Sequence, residues 1–384
     1  LREHALLGLG SALTRLGDIA ASEALAREAR ALALPRDDRG DEVRARTDIR
    51  LAVQALTRSD YAVSEPLFRS GMATLERLAG HPDPEVAIPF SSLLHATGRA
   101  AEAEQVLQAA LAQVRRDSPP IHPGRAALAA QLGTNYSRQG RPAEAEPLLR
   151  DALAIKIAIY GEQHGSVDVT RHNLARVLTE LGRWDEAEAI YRAVLAAERA
   201  RYNGPHPSIA ASEAGLARVL LDSDRAAESE PLWRSAQATA IAKFGELDAA
   251  VGITAIGLGR TLLALQRFDE ADAQLDLARR VYERLGENGT TSLARVQLEQ
   301  TRLALLRSDA TVDCQAAAAA VTAASKPDAT RGYALAVLAA CQHRGGAAAT
   351  AATTLAEALQ LLRRHRDGRF PERRYAESLA ALMR

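Results

Sequence analysis

Gly182-Arg183-Trp184-Asp185-Glu186-Ala187-Glu188 is a turn-and-helix phrase that this chain of 384 residues repeats. It reads Gly140-Arg141-Pro142-Ala143-Glu144-Ala145-Glu146 one step earlier and Gly98-Arg99-Ala100-Ala101-Glu102-Ala103-Glu104 before that. Aligning the last acidic residue of each copy gives Glu23, Glu65, Glu104, Glu146, Glu188, Glu230 and Asp272, a step of 42 broken once by a step of 39. A constant step of that size marks stacked repeats, each of which needs its neighbours to bury its apolar face.

The turn positions are 17, 59, 98, 140, 182, 224 and 266. Eight residues before each stands a large apolar residue: Leu9, Leu51, Phe90, Leu132, Leu174, Leu216 or Leu258. Seven before stands a small one: Gly10, Ala52, Ser91, Gly133, Ala175, Ala217 or Gly259. This pairing, on a segment apolar again four residues later, predicts a helix A with a closely approaching neighbour. Five after the turn the residue is small once more: Ser22, Ser64, Ala103, Ala145, Ala187, Ser229 or Ala271. Bulky pairs such as Ile190 with Tyr191 and Leu232 with Trp233 follow, which predicts an antiparallel helix B. Connectors such as Tyr202-Asn203-Gly204-Pro205-His206-Pro207-Ser208 join B to the next A. Gly161 and Gly204 are placed to end helix B in a left-handed cap, and Asp83, Ser166 and Ser208 to cap the next helix. Strand signals are absent, so the expected fold is all-α.

The small-residue pair, the Gly182 to Glu188 turn and the His206-Pro207 connector resemble tetratricopeptide repeats, in the 42-residue form of kinesin light chains. The resemblance covers about residues 1–285 and is strongest in 124–245. It implies a right-handed superhelical solenoid whose helix A faces line a concave groove for peptides or partner proteins. Residues 1–285 then form seven tetratricopeptide-like hairpins. Residues 286–384 form two degenerate hairpins, with Cys314 in an acidic position, and a capping helix from Pro371 to Arg384. They continue the same solenoid, for about nine helix pairs in all.

Composition bounds the partners. Lysines and arginines total 48 and so do acids, so no net field favours nucleic acid or an anionic membrane. The longest apolar runs, Ala316 to Ala324 and Tyr333 to Cys341, are too short to span a bilayer, and no direct membrane contact is expected. Three lysines (Lys156, Lys243, Lys326) among those 48 cations suggest a GC-rich bacterial coding sequence. The first residue is Leu1 rather than Met, and the expectation is a segment of a larger bacterial protein.

Arg176, Arg218, Arg260 and Arg302 stand six residues before successive turns, each 42 from the last. Guanidinium groups in register suit a ligand bearing carboxylates or phosphates, through forked charge-assisted hydrogen bonds. The competing reading is pairing along each helix, with Glu180 and Asp222 four residues beyond Arg176 and Arg218. By the same resemblance the arginines face the groove. Asn173, beside His172, resembles the family's peptide-backbone clamp, although Gly215 and Gly257 fill that place in the next copies.

His81, His122, His164 and His206 are nearly periodic. Equivalent residues of stacked hairpins lie on the order of 10 Å apart, too far to share one ion, so they read as connector structure. Separation likewise excludes the acidic series as a catalytic pair and leaves it as a solvated helix B face. Gly257-x-Gly259 lies within a helix, with no strand before it and no free helix N-terminus for phosphate. Trp184, Trp233, Tyr191, Phe68 and Phe268 fall at packing positions and read as core. Cys314 and Cys341 lie on neighbouring elements; two buried free thiols are the favoured reading over a disulfide, which would place the region outside the reducing cytosol.

These readings converge on a non-catalytic scaffold that binds a protein or peptide, acidic or phosphorylated, and needs no metal or cofactor. The alternative is the sensory or substrate-docking arm of a multidomain signalling protein such as a bacterial serine/threonine kinase. That arm would be cytoplasmic, or extracytoplasmic on a membrane-anchored parent if the cysteines are bonded.

Overall fold

The structure, a computed structural model, describes residue 9 and residues 19–32, 38–80, 83–308, 312, 314–324, 328–365 and 370–383. The expectations for Gly10, Gly17, His81 and Asp309, and for the side chain of Glu23, lie outside the described residues. The described residues form eighteen α-helices and one 3-10 turn, with no strand. The helices are α1 (Ile19–Leu32), α2 (Asp38–Thr57), α3 (Tyr61–Ala79), α4 (Pro84–Ala96), α5 (Ala100–Asp117), α6 (Pro123–Arg138), α7 (Pro142–Tyr160), α8 (Gly165–Glu180) and α9 (Trp184–Arg201). They continue as α10 (Pro207–Asp222), α11 (Ala226–Phe244), α12 (Ala249–Ala264), α13 (Phe268–Arg284), α14 (Thr290–Arg307), α15 (Gln315–Ala323), α16 (Ala329–Arg344), α17 (Ala348–His365) and α18 (Pro371–Leu382). From α2 to α17 they form A–B pairs. α1 is the B helix of the first repeat, and α18 closes the series.

The chain divides into two compact units, residues 1–170 and 171–384. In the first, α2 packs on α3, α4 on α5 and α6 on α7; in the second, α10 packs on α11, α12 on α13, α14 on α15 and α16 on α17. The 42-residue step is filled by A helices of 16 residues and B helices of 18 or 19, as in α10 with α11, plus the connectors.

The repeat pattern has a direct physical basis. Turn residues 98, 140 and 182 are glycines at φ of 75°, and the non-glycine turn residues Ser59, Asp224, Gln266 and Ser308 hold φ between 59° and 64°. This left-handed turn is what glycine accepts without strain. At the A–B crossing the small residue five beyond the turn is fully buried in every described repeat from Ser64 to Ala271. Ser64 Oγ donates to the Ala52 carbonyl at 2.8 Å and Ser229 Oγ to the Ala217 carbonyl at 2.7 Å, so the crossing is hydrogen-bonded as well as close. Leu132, Leu174, Leu216 and Leu258 are buried as expected, whereas Leu9 is 54% exposed.

The caps expected at Ser166, Ser208, Gly161 and Gly204 are corrected, while the histidines keep the connector role expected of them. The periodic histidines are helix caps: His122 Nδ1 accepts from Gly124 N–H and His206 Nδ1 from Ser208 N–H, each at 3.2 Å, with Ser208 itself inside α10. His164 Nδ1 accepts from Ser166 N–H in the same way, also at 3.2 Å. Tyr202 stacks on His206 at 3.6 Å and fixes the imidazole. Asp83 does cap α4. Helix α9 ends on Tyr202, two residues before Gly204, and Gly161 closes α7 in an extended conformation with positive φ rather than a left-handed helical one.

The acidic series is not a solvated face. Glu65 meets Arg99, Glu104 meets Arg141, Glu188 meets Arg225, Glu230 meets Arg267 and Asp272 meets Arg307, all at 2.6 to 2.9 Å. In these five pairs an arginine at the turn reaches back to the acid of the preceding repeat and clasps the two. Hydrogen bonds from Arg99 and then Arg69 hold the Glu65 carboxyl below its usual range.

Candidate functional site

In the second unit the four arginines of the register lie on successive A helices, Arg176 on α8, Arg218 on α10, Arg260 on α12 and Arg302 on α14. They do not form a uniform row. Arg176 Nη1 pairs with Glu180 at 3.2 Å, and Arg218 Nε lies 3.6 Å from Asp222, as pairing along the helix would have it. Arg260 and Arg302 instead converge on Glu299 of α14, a carboxylate whose side chain is 1% exposed. Arg260 Nε is 3.3 Å and Arg302 Nη1 3.6 Å from its two oxygens, and Tyr333 O–H donates to the same carboxylate at 3.2 Å. A buried carboxylate is tolerable only with such partners. Burial alone would draw the Arg260 pKa down, but Glu299 and then Glu372 carry it above its ordinary value.

Glu372 belongs to α18. Its Oε1 lies 3.3 Å from Arg260 Nη2, and the residues around it repeat this reach. Phe370 packs edge-on to Trp184 at 5.3 Å between centroids, Arg374 Nη2 donates to Asp224 Oδ1 at 2.7 Å, and the Arg302 guanidinium lies 5.3 Å over the Tyr375 ring. Tyr375 also meets Tyr333 at 6.1 Å. Helix α18 packs on α16 and α17 as a closing helix should. Its first turn also touches α9, the α10–α11 turn, α12 and α14. Trp184, read as core, is only half-buried and serves as the platform for Phe370.

A cavity of about 190 Å³ remains beside Glu372, lined by Arg218, Arg260, Arg295, Leu298, Glu299 and Tyr333. Arg295 is exposed and makes no ion pair with another described residue. Protein nevertheless surrounds it on enough sides that desolvation, then the like charges of Arg260 and Arg218, draw its pKa down. Of the residues expected to bind a partner, Arg218 and Arg260 therefore share this cavity, Arg302 joins through Glu299, and Arg176 stands apart. Arg295, Glu299 and Glu372 were not foreseen. The spacing Arg295, Glu299, Arg302, four and then three residues apart, does place the first three on one helix face.

His172 faces inward: its Nδ1 lies 3.4 Å from Ser212 Oγ, and its ring meets Tyr191 edge-on at 5.3 Å. Burial, then Arg176, push its pKa down to about 4, so it is neutral near pH 7. Asn173 is half-buried. The asparagine does not recur because a Cβ at Gly215 would strike the Tyr191 ring and one at Gly257 the Trp233 ring. Cys314 and Cys341 form a disulfide with Cα atoms 5.8 Å apart, in place of the free thiols favoured from sequence.

A cavity of about 910 Å³ in the first unit lies among α2 to α6. Several of its polar groups are already engaged: Asp83 and His122 cap helices, and Arg46 pairs with Glu42 at 2.9 Å. No helix among the described residues is long and apolar enough to cross a membrane, and no group of histidines, cysteines and acids among them could hold a metal ion.

The tetratricopeptide repeat model matches residues 90–158, 144–200 and 166–240, so this stretch is similar to tetratricopeptide repeats. Three solved structures share the fold over nearly the whole chain. The apo form of RapI is 12% identical, covers 96% of this chain and 99% of its own, and superposes with a TM-score of 0.64. The apo form of the quorum sensor NprR from B. thuringiensis is 13% identical, with coverage of 100% and 97% and a TM-score of 0.61. A Rap protein complexed with competence and sporulation factor is 12% identical, with coverage of 100% and 99% and a TM-score of 0.60. At these identities the likeness is one of fold. No curated protein matches the sequence.

Proposed function

We propose that the second unit is a non-catalytic platform that binds a peptide or a helix of a partner protein across the A helices α8 to α14. One observation carries this reading: α18, a helix of the chain itself, already rests its first turn against the A helices α12 and α14 through Glu372 and Tyr375, and against the start of α9 and the α10–α11 turn beside them through Phe370 and Arg374. The face and its border therefore offer an aromatic seat, an arginine for a carboxylate and an acid for an arginine, the elements by which a groove reads a helix. That a Rap protein of the same fold is complexed with competence and sporulation factor supports the reading. The test reverses Arg218 to Glu and removes Asn173 (Asn173→Ala) in one variant, with helicity checked by circular dichroism. Capture of protein from a bacterial lysate should fall at least tenfold, and unchanged capture by a folded variant overturns the proposal.

The Cys314–Cys341 bond favours a second, compatible reading: the chain works in an oxidising compartment, as the extracytoplasmic arm of a membrane-anchored signalling protein such as a serine/threonine kinase. Alkylation of protein taken directly from its host, followed by mass measurement, would show both thiols protected. Two alkylated cysteines refute this reading and leave the platform untouched.

A further inference from the structure

The cavity beside Glu372 carries an imbalance of charge. Arg218, Arg260, Arg295 and Arg302 supply four cations, against which stand three anions, Asp222, Glu299 and Glu372. Arg374, the other cation nearby, is taken by Asp224 in a two-pronged contact. The surplus falls on Arg295, which lines the cavity and makes no ion pair among the described residues. Arg260, with its side chain 10% exposed, is held in place from behind by Glu299 and presents Nη2 to Glu372.

Glu372 is also the one residue of α18 that lines the cavity, and about 190 Å³ stays open beyond its carboxylate. A carboxylate offers two oxygens and one charge. A phosphate monoester offers three acceptor oxygens and nearly two charges, and so would neutralise the cluster and extend toward Arg295. An arginine fork pairs with either group, but only the phosphate has an oxygen and a charge left for a second fork.

We propose that this cavity recognises a phosphorylated side chain presented on a helical segment of a partner, and that Glu372 of α18 is its displaceable stand-in. The proposal rests on the reading of the A-helix face as a binding platform, and it assigns the ligand chemistry of that platform. Arg260 anchors the ligand where it now holds Glu372, while Arg295, which feels Glu372 and Glu299 without a close ion pair to either, discriminates phosphate from carboxylate. Helix α18 then competes in cis, and a partner must carry more charge at this one position to displace it.

The experiment uses the full chain, and a second full chain with Glu372→Gln to weaken the cis contact. Fluorescent peptides of residues 369–384 carry glutamate, phosphoserine or alanine at position 372, and affinities are read by anisotropy at fixed ionic strength. The expected order is phosphoserine over glutamate over alanine, with each peptide binding the Glu372→Gln chain more tightly than the native one. The phosphoserine peptide should gain at least tenfold over glutamate, and Arg295→Gln should remove that gain while sparing glutamate binding. Equal affinities for phosphoserine and glutamate overturn the phosphate assignment and leave the platform standing. Failure of all three peptides to bind overturns the cis-competition argument on which both rest. Displacement of the phosphopeptide by inorganic phosphate at the peptide's own dissociation constant overturns the helical ligand in favour of a free anion.

Discussion

His172 makes the interior of the second unit sensitive to mild acid. Its imidazole lies between Ser212 and the edge of Tyr191, with Arg176 one turn along α8, and burial followed by that charge lowers its pKa from 6.5 to about 4. The folded state therefore refuses a proton that the unfolded chain accepts. Because the unfolded state binds more protons below pH 6.5, stability rises with pH through this window. The contribution is complete above pH 6.5 and is lost progressively as pH falls toward 4. A shift of this size corresponds to about 3 kcal/mol in full, and about 2 kcal/mol of it is gone at pH 5. The chain has two tryptophans, Trp184 and Trp233, both in the second unit, so fluorescence-detected urea unfolding reports on the relevant region. In such a stack the transition belongs to neighbouring hairpins rather than to the whole chain. Native protein and a His172→Gln variant would be unfolded at pH 7 and at pH 5. Carboxylates titrate alike in both, so the difference between them isolates the imidazole. The native protein should lose about 2 kcal/mol more than the variant. Parallel losses, or a His172 pKa near 6.5 by NMR, would refute the buried, neutral assignment.

Two further outcomes test the packing. Gly257→Ala drives a Cβ into the Trp233 ring. Overpacking of about 1–3 kcal/mol outweighs the gain of about 1 kcal/mol from replacing glycine in a helix, so thermal unfolding should show a net loss; a stabilised variant contradicts the close approach. Reduction of Cys314–Cys341 frees a loop with a sequence separation of 27, worth up to about 3.5 kcal/mol by loop-closure entropy. Hydrogen exchange over α15 and α16 should rise on adding reductant, and unchanged protection would show that the bond is dispensable to that hairpin.

The sequence made the repeat legible because its constraints are local. A left-handed turn, a small residue at the crossing and a large one beside it recur at fixed offsets, since each repeat solves the same packing problem with its neighbours. Ser59, Asp224 and Gln266 show that the backbone demand persists even where glycine is replaced. The acids and turn arginines that make the five clasps were largely periodic as well, but periodicity alone could not separate an ion pair from a solvated face. The geometry was needed to distinguish them. The same limit applied to the histidines, whose regular spacing reflected capping of successive helices.

What the period could not encode is the destination of α18. Arg374 meets a partner 150 residues away, and Glu372 reaches one 112 residues away, and neither offset is a multiple of 42. Such contacts depend on how far the stack turns between α10 and α18, a quantity summed over many small helix–helix angles and absent from any single repeat. The arginines at 260 and 302 therefore looked like open ligand positions in sequence although the fold engages both. That engagement sharpens the functional argument: a groove whose cations are matched by the chain's own acid cannot select a partner by charge alone. Selectivity must come from the cation that the internal helix leaves without a close ion pair, and in this cluster that is Arg295.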